Sequence, residues 1–371
     1  MDLFVYGTLR SAGLMAAVSG GQALVSIPAK LNGYAVFPVK GNVVPFISVH
    51  PDGVAEGLVF EGLTQQQMDR LNLYEGAFGY TLETVEVQTD TGPRQVSCYL
   101  PPADFGPGEG AWSLADWEAD HLAPAVLATT ELFALDPLPS HATLQAMWPM
   151  IEARAWAKHR AQVAPATMRF DAKPDDFEIK DARAPQGRFF RFQSLDVSHR
   201  TFDGSSPSIQ TREGFFGVDA AVVLPYDPQH DRVLLVEQAR LGPRLRHDPN
   251  PWMLEPVAGI VDARETPEAA ALRECQEEAG LTIATLEPAG SFYVSPGSST
   301  DYFYTYVGLC ALPETATYLG GLASEAEDLR LHPMSLDKAM ELADSGEIAT
   351  GPALYLLYWI LRHKDRLRTM V

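Results

Sequence analysis

Between residues 259 and 281 runs GIVDARETPEAAALRECQEEAGL, a stretch with six Asp or Glu residues and two Arg. Three of the acids, Glu274, Glu277 and Glu278, crowd just before a glycine. The local signals predict a loop entering one helix: Thr266 can cap it, Pro267 suits its first turn and Gly280 can close it in the left-handed conformation. At about 100° per residue, Leu272, Cys275 and Ala279 fall on one face, the expected core face, with the three glutamates on the other. A helix C-terminus carries partial negative charge, so each acid there costs about 0.3–1 kcal/mol, and pairing Glu274 with Glu278 one turn apart adds a few tenths more. A plain solvated face would more cheaply carry Lys. A divalent cation held by oxygen ligands turns this repulsion into attraction, so the stretch points to a metal site.

The rest of the chain must position that helix. Its 371 residues suit about two domains, and 46% hydrophobic content is ample for two cores. A formal charge of −20 and a pI near 4.8 argue against a nucleic-acid or anionic-membrane surface, so an anionic substrate would need local cations. The start, MDLFVYGTLR, lacks a basic segment followed by an apolar one, and the longest apolar run, Ala353 to Leu361, is too short to span a bilayer. The reading is a soluble cytoplasmic protein with no membrane and no nucleic-acid partner. Cys98, Cys275 and Cys310 show no metal or redox spacing and read as structural thiols.

Residues 1–100 mix short β-rich runs with Gly and Pro turns. Helices are predicted over Leu114–Leu135 and His141–Arg160, separated by an Asp136-Pro137-Leu138-Pro139 break. A polar, proline-bearing stretch follows, and strands return at FFRFQSLDVSHRTF, GVDAAVVLPYD and DRVLLVEQAR, the last two flanking a Pro-Gln-His turn. Final helices start near Ser335 and Pro352. The expected division is 1–135, a connection over 136–186, and 187–371.

Gly259, Glu265 and the run Arg273-Glu274-Cys275-Gln276-Glu277-Glu278-Ala279-Gly280-Leu281 resemble the Nudix box at every fixed position. With each fixed letter used at about 7%, a chance match is on the order of 10⁻⁸ per window. The segments VEQARLGP, PWMLEPVAGIVD, SFYVSPGSSTDYFYTYVG and GLASEAEDLRLH resemble bacterial ADP-ribose pyrophosphatases over roughly residues 187–371. The resemblance implies an α/β/α sandwich that hydrolyses ADP-ribose to AMP and ribose 5-phosphate with Mg²⁺ or Mn²⁺. It assigns Glu274, Glu278, Glu327 and the carbonyl of Ala258 as metal ligands and Glu325 as general base, with Glu277 the alternative base. Glu265 and Arg273 become a structural pair. Pro296 and Gly297 occupy the substrate loop, Arg240 can grip phosphate oxygens in a bidentate fork, and Arg212 with Phe216 would reach the adenine end across a homodimer interface. The rival substrates are other nucleoside diphosphate sugars such as GDP-mannose. A non-catalytic ADP-ribose sensor, with its N-terminal domain an inactive scaffold, would require a damaged box, and this one is intact.

VYGTLR, residues 5–10, and LNLYEGAFGY, residues 71–80, resemble the two signatures of the gamma-glutamylcyclotransferase-like, or AIG2-like, fold, over about residues 1–120. That implies a small β-barrel with helices in which the loop Tyr6-Gly7-Thr8-Leu9 binds a substrate carboxylate through backbone N–H groups. Glu75 would deprotonate the amine of a γ-glutamyl compound. Alternatively, the domain is a binding or scaffolding module.

Overall fold

Successive side chains of a strand point to opposite faces, and β1 (Leu3–Val5) uses this to divide two cores: Leu3 and Val5 face helices, while Phe4 and the following Tyr6 face the interior of a barrel. The computed structural model describes all residues except 22–23, 103–108, 162–166, 206–207, 315–316, 323–326 and 371. After β1 come α1 (Ala12–Ser19), β2 (Ser26–Pro38), β3 (Pro45–Phe60), α2 (Gln65–Gly76), β4 (Thr81–Thr89), β5 (Gly92–Leu100), α3 (Leu114–Phe133) and α4 (His141–Arg160). The strands close in the order β1-β3-β2-β4-β5, sealed by parallel pairing of Leu3 with Ser97 and Phe4 with Cys98. Inside lie Phe4, Leu31, Ile47, Val59 and Val87, and outside, Leu14 of α1, Leu71 of α2 and Trp117 of α3 cover Leu3 and Val5.

Thr64 and Gln67 start α2 with reciprocal bonds, the Thr64 Oγ1 accepting the Gln67 N–H at 3.3 Å and the Gln67 side chain accepting the Thr64 N–H at 2.8 Å. The two predicted helices are α3 and α4, which share an apolar cluster of Leu132, Leu144 and Ile151 with Ala77 beside the end of α2. Buried Arg154 of α4 donates to Glu131 of α3 at 2.9 Å and to the Phe189 carbonyl at 2.7 Å, and Arg191 reaches the same carboxylate at 3.4 Å. Residues 189–191 are thereby tied to this helix pair. They connect β6 (Phe177–Ala182) to β7 (Arg191–His199), which with β8 (Gln210–Phe216) form a three-stranded sheet. The chain divides into two compact units, Met1–Glu213 and Gly214–Val371, and β8 runs across the division.

The second unit contains β9 (Asp219–Asp227), β10 (Arg232–Ala239), α5 (Leu241–Leu245), β11 (Trp252–Glu255), β12 (Val257–Ile260), α6 (Pro267–Ala279), β13 (Thr285–Tyr293), β14 (Tyr302–Leu309), β15 (Tyr318–Gly320), β16 (Leu329–Ser335), α7 (Leu336–Ser345) and α8 (Gly351–Arg368). One sheet runs β13-β14-β9-β10-β16-β15, with β11 on β10 and β12 on β9. Strand alternation again makes two cores. Ala221, Val223, Leu234 and Val236 pack with α6, whereas Val222, Leu224, Val233 and Leu235 pack with α7 and α8. The result is an α/β/α sandwich. The predicted turn between β9 and β10 is held by Asp227, whose Oδ1 accepts the N–H groups of Gln229 and His230 at 3.0 and 3.1 Å. Ser335 caps α7 by accepting the Lys338 N–H. All three cysteines are buried and unbridged, and among the described residues no helix is long and apolar enough to cross a membrane.

Candidate active sites

The helix α6 begins where the Thr266 Oγ1 accepts the Ala269 N–H at 3.1 Å, with Pro267 in its first turn. It ends at Gly280, whose φ of 65° lets the Leu281 N–H reach the Cys275 carbonyl at 3.0 Å. Its core face differs from expectation at two residues. Ala270, Ala271, Cys275 and Ala279 are buried, but Leu272 is 44% exposed and Glu278 only 3%. The small alanines let the helix approach the sheet closely along a strip that includes Glu278, and Leu272 is left on the flank.

One guanidinium answers much of the acidic charge. Arg273 grips Glu265 with two bonds of 3.0 and 2.9 Å, and its Nη1 donates to Glu274 at 2.6 Å and to Glu277 at 3.0 Å. Its Nη2 also donates to the Ile260 carbonyl at 3.1 Å, pinning the loop before the helix. The expected Glu265–Arg273 pair is therefore present. Among the described residues Glu278 makes no ion pair. Its Oε2 accepts the Ala258 N–H at 3.3 Å, and burial, followed by the charges of Glu274 and Glu327, pushes its carboxyl up to about 8. Burial likewise raises Glu274, against the lowering effect of Arg273. Gly259 leaves room for this side chain: a Cβ there would stand 1.8 Å from the Glu274 Oε1, so any larger residue would force that carboxylate to move.

Glu327 approaches from beyond β15, and its charge acts on both Glu274 and Glu278. Its own Oε2 accepts the Leu322 N–H at 3.1 Å. Glu325 lies outside the described residues. Among those described, no three His, Cys, Asp or Glu side chains converge at ligand distance. In kind, the carboxylates of Glu274, Glu278 and Glu327 and the Ala258 carbonyl offer only hard oxygen donors, a chemistry that would suit Mg²⁺ or Mn²⁺ rather than a softer metal.

Arg240 follows β10 in the same alternation as Val236, which pairs with Glu255 and faces α6. Its Nε donates to Glu255 at 2.6 Å, and its positive charge favours the ionised form of Glu278. Pro296 and Gly297 form an exposed turn in which the Ser298 and Ser299 N–H groups reach the Ser295 carbonyl at 3.0 and 2.9 Å. The Phe215 N–H bonds the Ser298 carbonyl at 2.7 Å and so braces that turn. Arg212 is exposed in the first unit and bonds Gln210.

In the barrel, Glu75 sits at the end of α2 and loss of water pushes its carboxyl up to about 7. Its charge acts on Tyr6, Tyr74, Tyr80, Cys98 and Tyr99. The Tyr6 hydroxyl donates to the Tyr99 carbonyl at 3.0 Å and that of Tyr80 to the Pro45 carbonyl at 3.3 Å. A Cβ on Gly7 would stand 2.8 Å from the Pro45 side chain, so the loop lies close against the β3 start. Thr8 begins a turn of 3₁₀ helix, and the Leu9 side chain is buried, leaving its backbone as its polar contribution. Sequence reasoning singled out Tyr6 and Glu75 but not Cys98 and Tyr99. Adjacent on β5, they face opposite sides, Cys98 the barrel interior and Tyr99 the helices, and which face is which is readable only once the partner strand β1 is known.

A model of the NUDIX domain matches residues 216–350, and one of gamma-glutamyl cyclotransferase, AIG2-like, matches residues 3–119. The ADP-ribose pyrophosphatase of Escherichia coli (strain K12) is 35% identical over 194 residues, which cover 52% of this chain and 92% of that protein. Protein AIG2 B of Arabidopsis thaliana is 32% identical over 133 residues, 35% of this chain and 78% of that one. The chain belongs to the Nudix family, with an AIG2-like domain preceding its Nudix domain. The Nudix domain makes it a hydrolase, of a family generally dependent on divalent metal. The GDP-mannose pyrophosphatase of Enterobacter sp. (strain 638) is also similar, at 28% identity over 149 residues, 40% of this chain and 76% of that protein.

Proposed function

We propose that the Nudix domain hydrolyses ADP-ribose to AMP and ribose 5-phosphate, with Mg²⁺ or Mn²⁺ held by Glu274, Glu278, Glu327 and the carbonyl of Ala258. The observation that carries this is Glu278: buried, pressed by two other carboxylates and without an ion pair among the described residues, it ionises at neutral pH only at a cost that a bound cation would offset. When bound, divalent ions would neutralise the pyrophosphate oxygens and activate the attacking water. Water adds to one phosphorus, the bridging oxygen leaves with the other phosphate, and the proton passes to a base. We assign that base to Glu325, because the rival Glu277 is held by Arg273. Glu274 also shares Arg273, and ligation requires its carboxylate to turn from that guanidinium. Arg240 would meet the substrate phosphates, Pro296 and Gly297 would border the ribose phosphate, and Arg212 would reach the adenine across a homodimer formed by the Nudix domain.

ADP-ribose is preferred over GDP-mannose because the greater identity and coverage lie with the ADP-ribose pyrophosphatase. A nucleotide-sugar panel with phosphate release coupled to a phosphatase tests this choice. The highest kcat/KM should fall on ADP-ribose, and a preference for GDP-mannose would overturn it.

The AIG2-like domain we read as a cyclotransferase on a γ-glutamyl compound. Glu75 takes a proton from the substrate α-amine, the nitrogen attacks the γ-carbonyl carbon, and the bond to the leaving amine breaks as that amine regains a proton, giving 5-oxoproline. A base with a pKa near 7 is matched to this task at neutral pH. Release of 5-oxoproline from a panel of γ-glutamyl amines, abolished in Glu75→Gln, is the expected result. No release from any of them leaves the scaffolding reading.

A further inference from the structure

The segment that carries Glu327 is fastened to the last turn of α6 by contacts no comparison assigns. The final carbonyls of a helix lack partners within it. In α6 two of them are taken by the chain entering the Glu327 loop: the Tyr318 hydroxyl donates to the Ala279 carbonyl at 3.2 Å, and the Gly321 N–H donates to the Glu278 carbonyl at 3.0 Å. The approach needs glycine twice. A Cβ on Gly320 would stand 2.1 Å from the Glu278 carbonyl oxygen, and one on Gly321 would stand 2.9 Å from the Glu327 Cβ, at a φ of +90° that disfavours any side chain. Beyond the two glycines, Leu322 and Glu327 bond one another twice, N–H to carbonyl at 3.3 Å and N–H to carboxylate at 3.1 Å. Tyr318 and Gly320 also pair with Leu331 and Leu329 of β16, which fixes the edge strand β15 to the sheet.

We propose that Tyr318, Gly320 and Gly321 are positioning residues that set the Glu327 carboxylate in register with Glu278, so that the two bind one divalent ion together. This rests on the reading of Glu278 and Glu327 as metal ligands. The backbone carbonyl of Glu278 holds Gly321, and the charge of Glu327 acts on the Glu278 side chain. A structural role alone would stabilise the fold without affecting metal affinity.

The test is Mn²⁺ binding to the full-length protein, followed by the electron paramagnetic resonance of the free ion, with thermal melting as the check on folding. Gly321→Ala should raise the Mn²⁺ dissociation constant about tenfold or more, and Tyr318→Phe, which loses one hydrogen bond, about two- to fivefold. Gly346→Ala is the control. That glycine ends α7 at a φ of +84° with nothing within 4 Å of an added Cβ, so it carries the same kind of backbone strain away from the loop. It should lower the melting temperature and leave Mn²⁺ binding unchanged. Glu327→Gln tests the underlying reading: unaltered Mn²⁺ binding there removes the ligand assignment and the positioning role with it. Weakened binding in Glu327→Gln with wild-type binding in both Tyr318→Phe and Gly321→Ala overturns the positioning role alone. If Gly321→Ala does not fold, Tyr318→Phe decides.

Discussion

Replacing Glu75 by Gln should stabilise the barrel at pH 8 and leave its stability near wild type at pH 4.5. Burial moves the carboxyl from its ordinary 4.5 to about 7. The folded state therefore holds the proton more tightly than the unfolded state. Between those two values the folded chain binds more protons, so stability falls as pH rises through the window. The favourable contribution is complete below 4.5 and lost above 7. A shift of that size corresponds to at most about 3 kcal/mol, and because Glu75 retains some exposed surface we expect about 2 kcal/mol. Gln keeps the shape and cannot ionise, so the variant escapes the cost at high pH. Two domains need not unfold together, so the assay is hydrogen exchange by mass spectrometry, corrected for intrinsic rates, on peptides from residues 65–100. An equal effect at both pH values, or a loss at pH 8, would refute the argument that desolvation governs Glu75. If the cyclotransferase reading also holds, the acidic limb of kcat/KM falls near pH 7 in the wild type.

Three further outcomes are expected. Glu278→Gln should fold but lose several kcal/mol of transition-state stabilisation, about 10²-fold or more in kcat at saturating Mg²⁺; near-wild-type turnover would remove it from the metal site. Arg273→Lys cannot reproduce the two-pronged bond to Glu265 and should lower thermal stability by about 1–3 kcal/mol, measured by calorimetry as a shift of the Nudix transition. Glu325→Gln should reduce kcat about 10²–10⁴-fold with KM and Mg²⁺ affinity nearly constant, whereas a silent Glu325→Gln beside an inactive, metal-binding Glu277→Gln would put the base on the helix.

The limits of α6 were legible because caps are local: Thr266, Pro267 and Gly280 act within a turn of where they stand. The helices α3 and α4 and the Asp227 turn followed from similarly short-range signals. Leu272 was misjudged because a helical wheel fixes only which residues share a face. The depth to which that face sinks depends on Ala270 and Ala271 meeting the sheet. The barrel closure of β1 on β5 was illegible for a related reason, since it joins Leu3 to Ser97 and no local pattern marks such a pairing.

The acidic stretch shows the same boundary inside the candidate site. Six acids against two arginines suggested a missing cation, and Arg273 supplies part of the answer from within, reaching back to Glu265 while holding Glu274 and Glu277. A single guanidinium can do this only after the loop folds over the helix. What remains is Glu278, set apart from its neighbours by burial rather than by sequence. Gly259→Ala separates these contributions. Its Cβ would have to displace a Glu274 oxygen 1.8 Å away, yet it leaves every charge in place. If charge alone made the site, the Mg²⁺ requirement would stay as in wild type. If the carboxylates must be positioned, half-activation should need about tenfold more Mg²⁺, and Mn²⁺ binding should weaken in parallel.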